Sequence, residues 1–223
     1  RKDRGSRLWM TVSALAGGFW FFNFFIRLNA AVWTLGSPSS LSDYLSMLLS
    51  HAGMILCVLV PVLWISRQHE RRAAFRFGKI DKKTSRGGMI LLPLILAGLL
   101  IWGLFVVFTK RPVINGGLLF LFLMALVKAF LTGFGEEIAY RGFIQNAAVR
   151  YGGAFFGILI QAGLYALFHL YLGPAFFNKA GFIAGVFVLG LIFGIVTYKT
   201  GGTGWAILLH SGLDLVIEWQ NIS

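Results

Sequence analysis

The sequence predicts an all-α fold, a polytopic bundle of about seven transmembrane helices whose catalytic core lies in the last four. Three observations predict it. Apolar residues make up 57% of the 223 and charged residues only 13%, with a mean hydropathy of +0.78, more apolar surface than a soluble core of this size can use. The apolar residues come in runs long enough to cross the roughly 30 Å hydrocarbon layer of a bilayer. The basic residues behind the net charge of +12 gather in short links between those runs, not on one face of a polar domain. That distribution is a topology signal and argues against a nucleic-acid partner.

The runs fall at 8–35, 45–66, 88–109, 117–149, 154–172, 180–198 and 204–219. The first holds several large aromatics and Arg27 and is too long for a cleaved signal peptide, so it reads as a retained span. Cys57, the only cysteine, sits in the second; no intrachain disulfide is possible and a packing role is expected. The link 67–86 carries Arg67, Arg71, Arg72, Arg76, Lys79, Lys82, Lys83 and Arg86. It is expected to anchor the topology on anionic lipid and divides the chain into 1–86, with two spans and this loop, and 87–223, with five. The basic N-terminus, this loop, Arg150 and Lys199 share one side, against Lys110, Arg111 and Lys179 on the other. The positive-inside rule therefore puts the N-terminus in the cytoplasm and the C-terminus outside, with a bacterial inner membrane as the expected location. The basic start without an initiator methionine is expected to reflect trimming.

The fourth run is the odd one. As a single helix it would be about 50 Å long at 1.5 Å per residue, and its last third (Arg141, Gln145, Asn146, Arg150) is polar, so this part is expected to project into the cytoplasmic interface. In the sixth run Gly181/Gly185 and Gly190/Gly194 give two G-x-x-x-G spacings, which allow close helix approach.

The polar residues inside apolar runs carry the functional reading. Glu136 and Glu137 each cost roughly 2.5 to 3.5 kcal/mol at a helix centre even on the lenient insertion scale, and solubility does not require them. If Gly152–Gly153 make the turn after the fourth run, Glu136 and His169 lie at one level of an antiparallel hairpin. Three pairs stand at i, i+4, the spacing that shares a helix face. Glu137 reaches Arg141, which keeps it ionised and leaves Glu136, about 100° away, free for chemistry. Tyr165 reaches His169, whose imidazole its ring or hydroxyl can hold. His210 reaches Asp214, whose carboxylate can set the imidazole tautomer. Any single pair has an ordinary structural explanation; six polar residues converging from three spans point to a catalytic site inside the bilayer.

Glu136-Glu137-Ile-Ala-Tyr-Arg141 reads as E-E-x-x-x-R, Tyr165 to His169 as a variant of F-x-x-x-H, and His210 to Asp214 as H-x-x-x-[ND]. In this order on successive runs they resemble the three motifs of the CAAX protease and bacteriocin-processing (CPBP, or Abi) family, which includes the type II CAAX prenyl endopeptidases. The resemblance covers about 117–219; the first three runs carry none of it. It implies an intramembrane endopeptidase of the glutamate type. Glu136 with His169 would activate a water, Glu137 and Arg141 would support the site, and His210 with Asp214 would face the scissile carbonyl. Two departures stand out. Tyr165 takes the place of phenylalanine and adds a hydroxyl expected near His169. Asp214, often asparagine, can only accept hydrogen bonds while ionised, so its expected role is to orient His210.

No cofactor is expected. Zinc is the alternative, since two histidines and a glutamate could supply three ligands with a fourth position open, although H-E-x-x-H is absent and the ligands would come from three helices. The expected partners are the lipid bilayer and a membrane-tethered peptide or protein, cut in maturation, leader removal or tail removal. Competing readings are a non-catalytic peptide-binding or immunity protein, which has no need of Glu136 and both histidines inside lipid, and a proton-coupled transporter, for which an inverted repeat with broken helices is expected and not visible.

Overall fold

The computed structural model describes residues 9–14, 16–18, 41–79, 98, 116–169 and 179–222. Residues 9–14 and 16–18 are helical. They are followed by α1 (Leu41–Ile65), α2 (Gln68–Ala74), α3 (Gly116–Glu137), a π-helical segment (Ile138–Gln145), α4 (Asn146–His169), α5 (Lys179–Thr200) and α6 (Gly204–Ile222). No strand occurs among the described residues. Two helical stretches, 122–169 and 180–200, are long and apolar enough to cross a membrane, while 55–65 and 204–217 are shorter apolar helices. The third expected span and most of the first lie outside the described residues, as does the division at 86/87.

Apolar runs become helices here because backbone N–H and C=O groups in hydrocarbon must be satisfied within their own segment. In α1 this is breached at Pro61, which has no N–H to give to the carbonyl of Cys57. That carbonyl lies against Gly18, where any Cβ would collide with it, so the missing donor coincides with a close helix crossing. Cys57 is half-buried in this contact, in keeping with a packing role.

The over-long fourth run is explained by a change of helix type. The chain stays helical from Gly116 through the π segment and reverses only at Gly153, which takes φ 86° and ψ 177°, a conformation closed to side-chain-bearing residues. The turn expected at Gly152–Gly153 is there. Of the polar third expected at the interface, Arg141 and Gln145 are covered by protein at 0% and 1% exposure, and Arg150 is exposed. All eight residues of the π segment are buried, because it packs against α1, α2, α3, α4 and α5 at once. Arg141 Nη1 and Gln145 Nε2 find acceptors inside the bundle.

The rest of the bundle consists of two close pairings, α3 on α6 and α4 on α5. Each depends on glycine. At Gly133 a Cβ would stand 3.0 Å from the backbone nitrogen of Ser211 and 3.3 Å from the carbonyl oxygen of Ile207. At Gly190 it would stand 3.0 Å from Ala162 Cα. Of the two G-x-x-x-G spacings in α5, Gly190/Gly194 forms this contact, while Gly181 and Gly185 approach no described residue closely enough to need glycine. The basic link is also part of the bundle, for α2 packs on the π segment and the chain after it binds the turn between α5 and α6.

Candidate active site

The site forms where the π segment, α4 and α6 meet. Gly133 lets α3 lie against Ile207 and Ser211, the residues flanking His210 by one turn or less, and Glu137 comes one helical turn after Gly133. Its Oε1 accepts 2.8 Å hydrogen bonds from Arg141 Nη1 and from His210 Nδ1. Glu137 and Arg141 are both fully buried and His210 is 4% exposed. The i, i+4 pairing of Glu137 with Arg141 is therefore present, joined by a long-range partner that spacing could not reveal.

Arg141 carries the only guanidinium of the site. Its central carbon stands 4.3 Å from the ring centre of Tyr165, 5.4 Å from Phe193 and 5.9 Å from Tyr140. Nε and Nη2 find no hydrogen-bond acceptor among the described residues, and the aromatic faces supply the negative potential instead, worth about 2 kcal/mol when desolvated. Phe193 also stacks on His210, with centroids 5.3 Å apart and planes inclined by 22°.

The second edge of His210 is looser. Around Nε2 stand the Tyr165 hydroxyl and Asp214 Oδ2, each at 3.5 Å, and Glu136 Oε2 at 3.9 Å. The His210–Asp214 pairing is thus present, but Nδ1 gives its proton to Glu137, so the tautomer is set by Glu137 and not by Asp214. Glu136 Oε2 is buried without a hydrogen-bond partner among the described residues.

His169 departs from expectation. Its Nδ1 donates to the backbone carbonyl of Tyr165 at 2.9 Å, and its ring lies 4.5 Å from that of Tyr165. A carbonyl only accepts, so Nε2 is the basic nitrogen. No hydrogen bond or ion pair joins it to Glu136, whose nearest imidazole is His210. Adjacent carboxylates diverge by about 100°, and α6 fills the direction in which Glu136 points. The Tyr165 hydroxyl likewise reaches His210 and not His169: the two i, i+4 rings are inclined by 58°, and the phenol tip projects past its partner to α6.

Several residues of the site escaped the sequence reading. Gln145 Nε2 donates to the Gly194 carbonyl at 2.8 Å and Gln161 Nε2 to the Gly190 carbonyl at 2.7 Å, both buried, pinning α5 and so Phe193. A signal existed: Glu137–Arg141–Gln145 and Gln161–Tyr165–His169 are two three-rung ladders at i, i+4 on the arms of the hairpin. Among the described residues no group of three or more His, Cys, Asp or Glu side chains is arranged to hold a metal ion; His210 Nδ1 and His169 Nδ1 are already committed to Glu137 and to a carbonyl.

The bundle buries Glu137, Arg141 and His210 among apolar helices, an arrangement of the kind found in membrane proteins with a polar interior. Residues 117–216 match the family described as type II CAAX prenyl endopeptidase Rce1-like. The match covers 100 of the 223 residues, agrees with the three motifs and supports, at the family level, a protease and an integral membrane protein. No curated protein and no solved structure matches the chain.

Proposed function

We propose that the protein is an intramembrane endopeptidase that hydrolyses a peptide bond in a membrane-tethered protein or peptide, with Glu136 activating the attacking water. The observation that carries this reading is the contrast between neighbouring carboxylates: Glu137 is spent on Arg141 and His210, while Glu136 Oε2 is buried, unpartnered and 3.9 Å from His210 Nε2. Glu136 takes a proton from water as its oxygen attacks the scissile carbonyl carbon. The tetrahedral oxyanion forms, the C–N bond breaks, and the proton passes to the departing amine.

His210 meets Glu137 through Nδ1–H and turns Nε2 to the loose edge. When it carries a proton, Nε2 can donate to the oxyanion, a contact worth about 3 kcal/mol in related chemistry. Asp214 orients this edge. Glu136 itself returns the proton to the leaving amine, while His169 presents Nε2 as an acceptor beside the Tyr165 ring. No step uses a metal. Leader or C-terminal tail removal is the substrate class that suits a site inside the membrane.

Cleavage of membrane-tethered peptides by the purified protein tests this, comparing wild type with Glu136→Gln, with and without a chelator. Glu136→Gln is expected to lower cleavage by about 10²- to 10⁴-fold, with no effect of the chelator. Wild-type cleavage by Glu136→Gln would overturn the role of Glu136, and chelator-sensitive cleavage would turn the same residues into zinc ligands.

A further inference from the structure

At one end of the bundle, residues 74–79 form a strap bound to the turn between α5 and α6. Lys79 N–H donates to the Thr200 carbonyl at 2.8 Å, Thr203 N–H to the Arg76 carbonyl at 2.8 Å, and Gly204 N–H to the Phe77 carbonyl at 3.0 Å. The Thr203 hydroxyl donates to the Ala74 carbonyl at 2.9 Å. The first N–H groups of a helix have no partner within it, so Arg76 and Phe77 cap α6, the helix that carries His210. On its inner side the buried Ala74 lies against Gly142, where a Cβ would stand 2.9 Å from that of Ala74; Gly142 adjoins Arg141. The strap therefore touches both the segment that holds Arg141 and the helix that holds His210.

Its outer side has a different composition. Arg71, Arg72, Arg76 and Lys79 are exposed, and no ion pair is found for them among the described residues. Phe75 and Phe77, 45% and 53% exposed, stand between them. Four like charges within nine residues repel one another, and two half-exposed phenyl rings lose free energy in water. An acidic soluble partner would meet the charges and leave the rings wet. A bilayer surface meets both, since anionic headgroups attract each cation and the rings enter the acyl boundary. Phe75 already lies 6.2 Å from Phe134 of α3, in an apolar helix.

We propose that this strap is a docking surface for anionic lipid headgroups, and that bound headgroups tighten the cap on α6 and hold His210 against Glu137. The proposal does not depend on the peptidase reading. It is tested by hydrogen exchange at the amides of Lys79, Thr203 and Gly204, with the protein in nanodiscs of phosphatidylcholine alone or mixed with phosphatidylglycerol. Phosphatidylglycerol is expected to slow exchange at these amides roughly tenfold in wild type, and raised salt should reverse the slowing. Arg71→Gln/Arg72→Gln/Arg76→Gln should abolish it. The substituted side chains are exposed, and unchanged exchange in α4 and α5 checks that the fold persists. Equal exchange in the two lipids, salt-insensitive slowing, or slowing retained by the triple variant would each overturn the proposal. So would equal slowing by a poly-glutamate peptide in phosphatidylcholine discs, which would identify a soluble acidic partner instead.

Discussion

The two edges of His210 are built differently. At Nδ1, Glu137 and Arg141 close a buried chain in which both hydrogen bonds are 2.8 Å. At Nε2, three groups from three helices stand at 3.5 to 3.9 Å, too long for strong hydrogen bonds. The tight edge holds structure, because a buried charge left unpaired is expensive. The looser contacts of the second edge are those that the proposed reaction would exchange for contacts to a transition state.

The largest expected effect breaks the loose edge alone. Glu136→Gln should lose cleavage by the factor given above yet keep its unfolding free energy within about 1 kcal/mol of wild type, because Oε2 makes no hydrogen bond among the described residues and stands 3.9 Å from its nearest imidazole nitrogen. Chemical denaturation alongside the cleavage assay checks both halves of that statement. The tight edge should answer in the opposite way. Arg141→Ala strands Glu137 in an apolar interior and empties the aromatic cage, so a destabilisation of about 3 to 5 kcal/mol is expected; the transition monitored in mild detergent would show it, and a loss under 1 kcal/mol would mean that the pair carries no structural burden. Gly133→Ala sharpens the comparison from a distance. Its methyl would push α3 from α6, costing about 1 to 3 kcal/mol and lengthening the Glu137–His210 bond, visible as a shifted imidazole Nδ1 proton resonance. The smallest effect belongs to Tyr165→Phe, which keeps the ring under Arg141 and beside His169 but removes the hydroxyl from the loose edge. A loss of about 1 kcal/mol in transition-state stabilisation, read as a several-fold fall in kcat with KM held, is the expected outcome; a change confined to KM would place the hydroxyl in substrate binding.

Much of the site was legible in the sequence because helical spacing is local. The pairs Glu137–Arg141, Tyr165–His169 and His210–Asp214, the reversal at Gly152–Gly153 and the close-packing glycines Gly190/Gly194 all follow from intervals of four residues or from a glycine doublet, and each is present in the structure. What could not be read is which helix lies opposite. Glu136 was expected to meet His169 and stands nearest His210. The Tyr165 hydroxyl was expected at His169 and reaches His210. The polar end of the fourth run, expected at the interface, is buried by the helices around the π segment.

By itself the sequence determined that the chain is helical and apolar, where its polar ladders run, and which family 117–216 resembles, since helix formation and i, i+4 alignment depend only on neighbours along the chain. Only the tertiary structure decided that Glu137 and not Asp214 sets the His210 tautomer, that Gln145 and Gln161 pin α5, and that a basic link caps the helix carrying His210. These contacts join residues between 29 and 129 positions apart, and such pairings are chosen by how helix surfaces fit when packed, a property that no single segment contains.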